Sequence, residues 1–137
     1  MPINTNTYVS RLQVRPDDID MFGHVHSSRY VDYVLAARFD QMERCYGMKM
    51  QVFLERGYGW VLVSTEINFK RALGLGEHFD VETRIVSLVK NTVEVHYRIL
   101  TAAGKESCTG WARYAFYNLQ SKKSEAIPDW VIEQYSI

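Results

Sequence analysis

Cysteine, proline and charge of one predominant sign are all scarce in this chain. Its 137 residues include two cysteines and three prolines. Cys45 and Cys108 stand far apart and outside any cysteine or histidine cluster. That spacing excludes a disulfide framework and a cysteine-based zinc site, and it favours reduced, buried thiols in a cytoplasmic protein. Sixteen basic residues balance sixteen acidic ones. A balanced chain does not hold nucleic acid by bulk electrostatics. No apolar run approaches the roughly 18 residues of a membrane-spanning helix, so no membrane partner is expected. The opening segment Met1 to Thr7 lacks the basic and apolar stretches of a secretory signal. Gly-x-Ser-x-Gly is absent, which removes the serine-nucleophile elbow. No glycine-rich phosphate loop is visible, because Gly74-Leu75-Gly76 reads as a turn between strands.

What is present is a large apolar fraction, 47% of the chain. This suffices for one core, and the length fits one domain over residues 1–137. Tyr8 to Arg15 alternates as a strand, with Tyr8, Ser10, Leu12 and Val14 on one face. Pro16-Asp17-Asp18 breaks it. Ser28 to Tyr46 has helical periodicity, with Val31, Val34, Leu35, Arg38 and Met42 on one side and Tyr30, Tyr33 and Ala37 on the next. So broad an apolar circumference predicts a largely buried helix. Gly47 suits its end, and Met50 to Arg56 predicts a second, short helix.

The second half alternates with period two. Trp60 to Phe69, His78 to Leu88, Thr92 to Leu100 and Ser107 to Tyr117 each read as strands. Short connections at Arg71 to Glu77, Lys90-Asn91 and Ala103-Gly104 make them antiparallel neighbours. One strand, a long apolar helix and four further strands predict an α+β fold. A curved antiparallel five-stranded sheet wrapped around one long buried helix satisfies both periodicities. Gly59 to Phe69 carries no charge before Glu66. An open, uncharged edge invites pairing, so a homodimer or homotetramer is expected.

The chemistry concentrates in Asp20-Met21-Phe22-Gly23-His24-Val25-His26-Ser27-Ser28-Arg29-Tyr30. A carboxylate and two histidines lie in a short segment that feeds a helix N-terminus. Helix starts offer unpaired N–H groups and the positive end of a dipole. A carboxylate beside such donors can attack a polarised carbonyl, or activate water to do so. The plainer reading makes Asp20 a turn or capping residue. His24, His26 and Asp20 offer three ligand types for a metal, but His78 and His96 belong to distant strands and the set is incomplete. No metal is expected. His24 is assigned to hydrogen bonding within the loop and His26 to the lining of the site. Asp17 and Asp18 are expected to face solvent or to fix the loop.

Val14-Arg15-Pro16-Asp17-Asp18-Ile19-Asp20-Met21-Phe22-Gly23-His24-Val25, continued through Arg29-Tyr30, resembles the signature of the 4-hydroxybenzoyl-CoA thioesterase-like acyl-CoA thioesterases. Val63 to Phe69 followed by Leu73-Gly74-Leu75-Gly76-Glu77 is similar to that family's strand-turn-strand. The chain departs from the family pattern at Pro16, Ile19, His26-Ser27 and Ala72. The resemblance implies a hot-dog fold and hydrolysis of an acyl-CoA thioester to a free acid and coenzyme A. It implies Asp20 as the catalytic carboxylate, acting as general base or nucleophile, and the Ser27 N–H as the group that polarises the carbonyl. Phe22, Gly23, His24 and His26 become substrate-binding positions. Lys70, Arg71 and Lys90 are candidates for the phosphates of coenzyme A, which enters as substrate, so no cofactor is expected. Phe22, Tyr30, Tyr33, Trp60 and Phe69 are candidates for an acyl tunnel. The rival readings are a thioesterase of the same fold acting on an acyl-carrier protein, and a non-catalytic acyl-CoA-binding module.

Overall fold

The computed structural model describes residues 2–137. Strand β1 (Tyr8–Gln13) leads through a 3-10 turn at Pro16–Asp18 and a second at Ser27–Arg29 into helix α1 (Tyr30–Arg44). A short helix α2 (Met50–Glu55) precedes β2 (Tyr58–Phe69), β3 (His78–Val89), β4 (Thr92–Leu100) and β5 (Glu106–Asn118). A two-residue strand β6 (Lys123–Ser124) and helix α3 (Asp129–Gln134) follow. The sheet order is β1-β3-β4-β5-β2, and β6 adds to β5. Every pairing is antiparallel. This is the hot-dog arrangement expected of the sequence, with one correction: β2 and β3, read as neighbours joined by the Arg71–Glu77 turn, do not pair, because residues 70–77 carry the chain across the sheet from β2, on the far side of β5, to β3, between β1 and β4. Two elements lay beyond that expectation, β6 and α3.

The sheet curls because single residues are inserted at three places. The register shifts around Val63 in β2, Val86 in β3 and Ser107 in β5. An extra residue bends its strand and increases local twist. The concave face carries Phe79, Val81 and Ile85 from β3, Val93, Val95 and Ile99 from β4, and Ala112 and Phe116 from β5, all buried. Against it α1 buries Tyr30, Tyr33, Val34, Ala37, Arg38, Gln41 and Met42. The largely buried helix read from the sequence is thus buried along its sheet-facing side. Leu35 and Phe39 remain 40% and 41% exposed. The buried stripe follows the 3-4-3-4 spacing of one helical face, which leaves the adjacent apolar residues uncovered within a single chain.

The polar groups under α1 satisfy one another. Gln41 Nε2 donates to Ser10 Oγ at 3.1 Å, and the Ser10 hydroxyl donates to Asp40 Oδ2 at 2.5 Å. Thr83 donates its hydroxyl to Gln41 Oε1. These bonds tie α1 to β1 and β3 and set the helix register on the sheet, since an unpartnered buried polar group would cost about 1–3 kcal/mol.

β1 and β2 form the two edges of the sheet. β1 is short, but β2 runs for 12 residues with Val61, Leu62, Val63 and Phe69 all exposed. Along the seven positions Gly59–Thr65 it carries no charge.

Candidate active site

The segment joining β1 to α1 folds back on itself. Ile19 and Val25 pair as an antiparallel bridge. Inside that bridge Asp20 N–H donates to His24 O at 2.7 Å, and Gly23 N–H donates to Asp20 O at 3.1 Å. Gly23 closes the turn with φ 77°, a backbone conformation that costs glycine little and other residues about 1 kcal/mol or more. The Asp20 carboxylate sits over this turn. Its Oδ1 accepts from Phe22 N–H at 2.9 Å and His24 N–H at 3.2 Å. Among the described residues, Oδ2 has no hydrogen-bond partner. One oxygen is therefore pinned to the backbone and the other is available.

Seven residues on, Ser27 opens the 3-10 turn that runs into α1. His26 caps this turn. Its Nδ1 accepts from Ser28 N–H at 3.2 Å and lies 2.8 Å from Ser28 Oγ. An imidazole that accepts at Nδ1 carries its proton on Nε2 and presents it outward. Ser27 N–H finds no acceptor among the described residues, as expected of an early helix donor. The loop thus carries a carboxylate oxygen at Asp20 and an N–H at Ser27, where the 3-10 turn starts, each without a partner among the described residues. His24 and His26 are both exposed; His24 joins the loop through its backbone and His26 also through its ring, and among the described residues no group of three metal-binding side chains gathers.

Asp18 departs from the solvent-facing alternative offered by the sequence. It is 1% exposed and fixes the loop from beneath. Arg15 donates to it through Nε at 2.9 Å and Nη2 at 3.2 Å, Tyr33 donates its hydroxyl at 2.7 Å, and Arg29 approaches to 3.5 Å. The Arg15 hydrogen bond, aided by Tyr33 and Arg29, outweighs burial and holds the Asp18 carboxyl below the usual carboxylate range. Burial and the neighbouring carboxylate push the Tyr33 phenol up, so it stays a donor. Asp18 O also accepts from His26 N–H at 2.8 Å. The cluster therefore joins both ends of the Asp20 loop to α1. Asp17, by contrast, is exposed.

A family model described as the thioesterase-like superfamily matches residues 14–135. The chain belongs to the thioesterase-like superfamily. A DHNA-CoA thioesterase from Staphylococcus aureus superposes with a TM-score of 0.87 at 19% identity, covering 95% of this chain and 89% of that one. A hypothetical protein from Thermus thermophilus superposes with a TM-score of 0.87 at 28% identity, covering 96% of both chains. A hypothetical protein from S. aureus, solved in complex with CoA, superposes with a TM-score of 0.83 at 16% identity, covering 98% of this chain and 84% of that one. At 19% and 16% identity, the two S. aureus likenesses establish the fold and nothing finer.

In this thioesterase-like chain the second wall of the loop is the segment between β2 and β3. His24 pairs with Gly74, Val25 N–H donates to Leu73 O at 2.9 Å, and Leu73 N–H donates to Tyr30 OH at 3.2 Å. Lys70 and Arg71 belong to the same segment. Lys70 Nζ lies 2.6 Å from Glu106 Oε1, and Arg71 Nη1 donates to Glu106 O at 3.1 Å. Lys90 stands apart, at the β3–β4 turn, with the whole length of β3 between it and the Asp20 loop. The aromatic candidates divide. Phe22 is 75% exposed beside Asp20, and Phe69 packs its half-exposed ring on Tyr30 with centroids 5.2 Å apart. Tyr30 and Tyr33 are core residues. Trp60 lines a separate cavity of ≈ 320 Å³ between α1, α2 and the β2–β5 edge, with Leu35, Met42, Leu54 and Tyr114 among its walls. The sequence signal for that cavity was indirect: a lone charged residue, Arg38, on the apolar side of α1.

Proposed function

We propose that the chain is an acyl-CoA thioesterase, releasing a carboxylic acid and coenzyme A from a thioester, and that Asp20 carries the reaction. The observation behind this reading is the Asp20 carboxylate, held by two backbone N–H groups through Oδ1 and free at Oδ2. In the general-base route Oδ2 takes a proton from water as the water oxygen bonds to the carbonyl carbon. The carbon–sulfur bond then breaks, and the proton passes to the departing thiolate. In the nucleophilic route Oδ2 itself bonds to the carbonyl carbon, the thiolate leaves, and water cleaves the resulting anhydride. Both routes develop negative charge on the carbonyl oxygen, and Ser27 N–H is the donor suited to receive it. Thiolate is a good leaving group, so the reading needs no metal.

Phe22, Gly23, His24 and His26 would border the thioester. Lys70 and Arg71 lie on the adjoining segment, where a coenzyme A phosphate would compete with Glu106 for them. Lys90 would serve only if a second protomer brought its β3–β4 turn to the site. The uncharged β2 edge supports a homodimer. Two unpaired thiols support a cytoplasmic setting.

The test is thiol release from matched acyl-CoA and acyl-carrier-protein esters. Faster turnover of the coenzyme A esters is the expected result. Preference for the carrier esters would transfer the reading to the rival thioesterase, and tight acyl-CoA binding without thiol release would make the chain a binding module.

A further inference from the structure

Tyr30 and Tyr33 read from the sequence as candidates for an acyl tunnel, yet both are buried in the core. Their hydroxyls are spent on the hairpin that carries Asp20. This hairpin is a short antiparallel ladder. His26 N–H donates to Asp18 O at 2.8 Å, Ile19 pairs with Val25, and Asp20 N–H donates to His24 O at 2.7 Å. Asp20 stands two residues beyond Asp18 on one strand, about 7 Å at the rise of an extended chain. Ser27 follows His26 directly on the other strand. Asp20 Oδ2 and Ser27 N–H therefore both take their places from the rung between Asp18 and His26.

Among the described residues, three side chains meet the Asp18 carboxylate, those of Arg15, Arg29 and Tyr33. The arginines do not anchor the rung to the core. Arg15 precedes the hairpin, Arg29 follows it in the 3-10 turn, and their side chains are 60% and 46% exposed. Both belong to the segment that they brace. Tyr33 belongs to α1. It is 4% exposed, with its ring 4.8 Å from that of Phe79 in β3 and 6.5 Å from that of Tyr30. Its hydroxyl donates to Asp18 Oδ2 at 2.7 Å. A ring packed between two others keeps little rotamer freedom, so its hydroxyl is a fixed point. Tyr30, one turn earlier, reaches the opposite strand through a relay. Its hydroxyl accepts from Leu73 N–H at 3.2 Å, and Leu73 O accepts from Val25 N–H at 2.9 Å. Two holds from one turn of α1 fix a ladder that a single hold would let pivot.

We propose that Tyr33 is a positioning residue for the reaction: through Asp18 it sets where the Asp20 carboxylate and the Ser27 N–H stand relative to α1. The proposal rests on the thioesterase reading for the reaction, and on the hydrogen-bond geometry alone for the hold on the hairpin. Reacting groups displaced by about 1 Å cost a reaction as much as a hundredfold in rate. Tyr33→Phe removes one hydroxyl, keeps the ring against Phe79 and Tyr30, and leaves Arg15 on Asp18 Oδ2.

Two measurements on that variant test it. The first is thiol release from an acyl-CoA ester, well below the Tm. Tyr33→Phe is expected to lose about tenfold or more in kcat, with KM within about threefold of wild type. A hydroxyl with a merely structural role would lower the Tm and leave kcat as it was. The second is amide hydrogen exchange, which requires no turnover. Exchange is expected to quicken by about tenfold or more at Asp20 and His26 and to stay unchanged in β3 and β4. An active wild type with kcat of Tyr33→Phe within about threefold of it overturns the proposal and leaves the thioesterase reading standing. Exchange that quickens throughout the chain, or not at all in the hairpin, also overturns the proposal. A wild type that releases no thiol overturns the thioesterase reading, and exchange that quickens at Asp20 and His26 then still upholds the hold of Tyr33 on the hairpin.

Discussion

Replacing Asp18 with asparagine keeps the size of the side chain and removes its charge. In the native loop the carboxylate receives two hydrogen bonds from Arg15 and one from Tyr33, with Arg29 at 3.5 Å. Bonds to a charged group contribute roughly 1.5–3 kcal/mol each. The arginines are half exposed and regain water when the carboxylate is lost, which discounts their share. Tyr33 keeps an acceptor in the amide oxygen. The expected loss is about 3 kcal/mol. At roughly 2.1 cal/mol/K per residue, a chain of 137 residues unfolds with an entropy near 0.3 kcal/mol/K, so Tm should fall by about 10 °C. Thermal unfolding of both proteins at one fixed concentration measures it, since an oligomer's Tm depends on concentration.

The pH dependence adds a sign. Asp18 titrates lower in the folded chain than in the unfolded one, where a carboxyl titrates near 3.9. Its contribution is complete above that unfolded value and disappears as pH falls through the lower folded one. The gap between wild type and Asp18→Asn should therefore be widest near neutrality and narrow below about pH 4. A Tm shift under about 2 °C, or a gap that widens in acid, would refute the argument.

Other outcomes follow from particular contacts. Gly110→Ala would place a Cβ 2.0 Å from Glu66 O and 2.9 Å from Tyr97 Cζ, so the urea midpoint should drop by the equivalent of about 3 kcal/mol. Iodoacetamide at pH 8 should label half-buried Cys45 in the folded protein and spare Cys108, whose thiol burial pushes up to about 12; equal labelling would contradict that burial. Val63→Lys puts a charge on the exposed bulge of the β2 edge and should shift a homodimer toward monomer in sedimentation, whereas an unchanged mass would move the interface elsewhere.

β3 and β4 were the most legible strands because each is amphipathic with period two and the turn between them is short. Val93, Val95 and Ile99 are buried while Arg98 is exposed, which is the alternation visible in the sequence. α3 was not legible, since six residues following Pro128 span under two turns and show no period. Its residues matter only through contacts distant in sequence, as when Tyr135 packs on Tyr46 with centroids 5.2 Å apart. The same limit applies at the site. Asp20 stood out because a carboxylate, a turn glycine and a helix start fall within eleven residues. Asp18 did not, because its burial needs Arg15, Arg29 and Tyr33 to converge from three elements. The Arg15–Asp18 spacing of three was the only local hint.

Thiol release by the wild type, Asp20→Asn and Asp17→Asn, measured side by side on one acyl-CoA ester with folding verified, tests the central claim most directly. The account predicts a loss of about a hundredfold or more in kcat for Asp20→Asn, with exposed Asp17→Asn close to wild type. Turnover by Asp20→Asn within about threefold of wild type would contradict it, because no general base or nucleophile of that importance is dispensable.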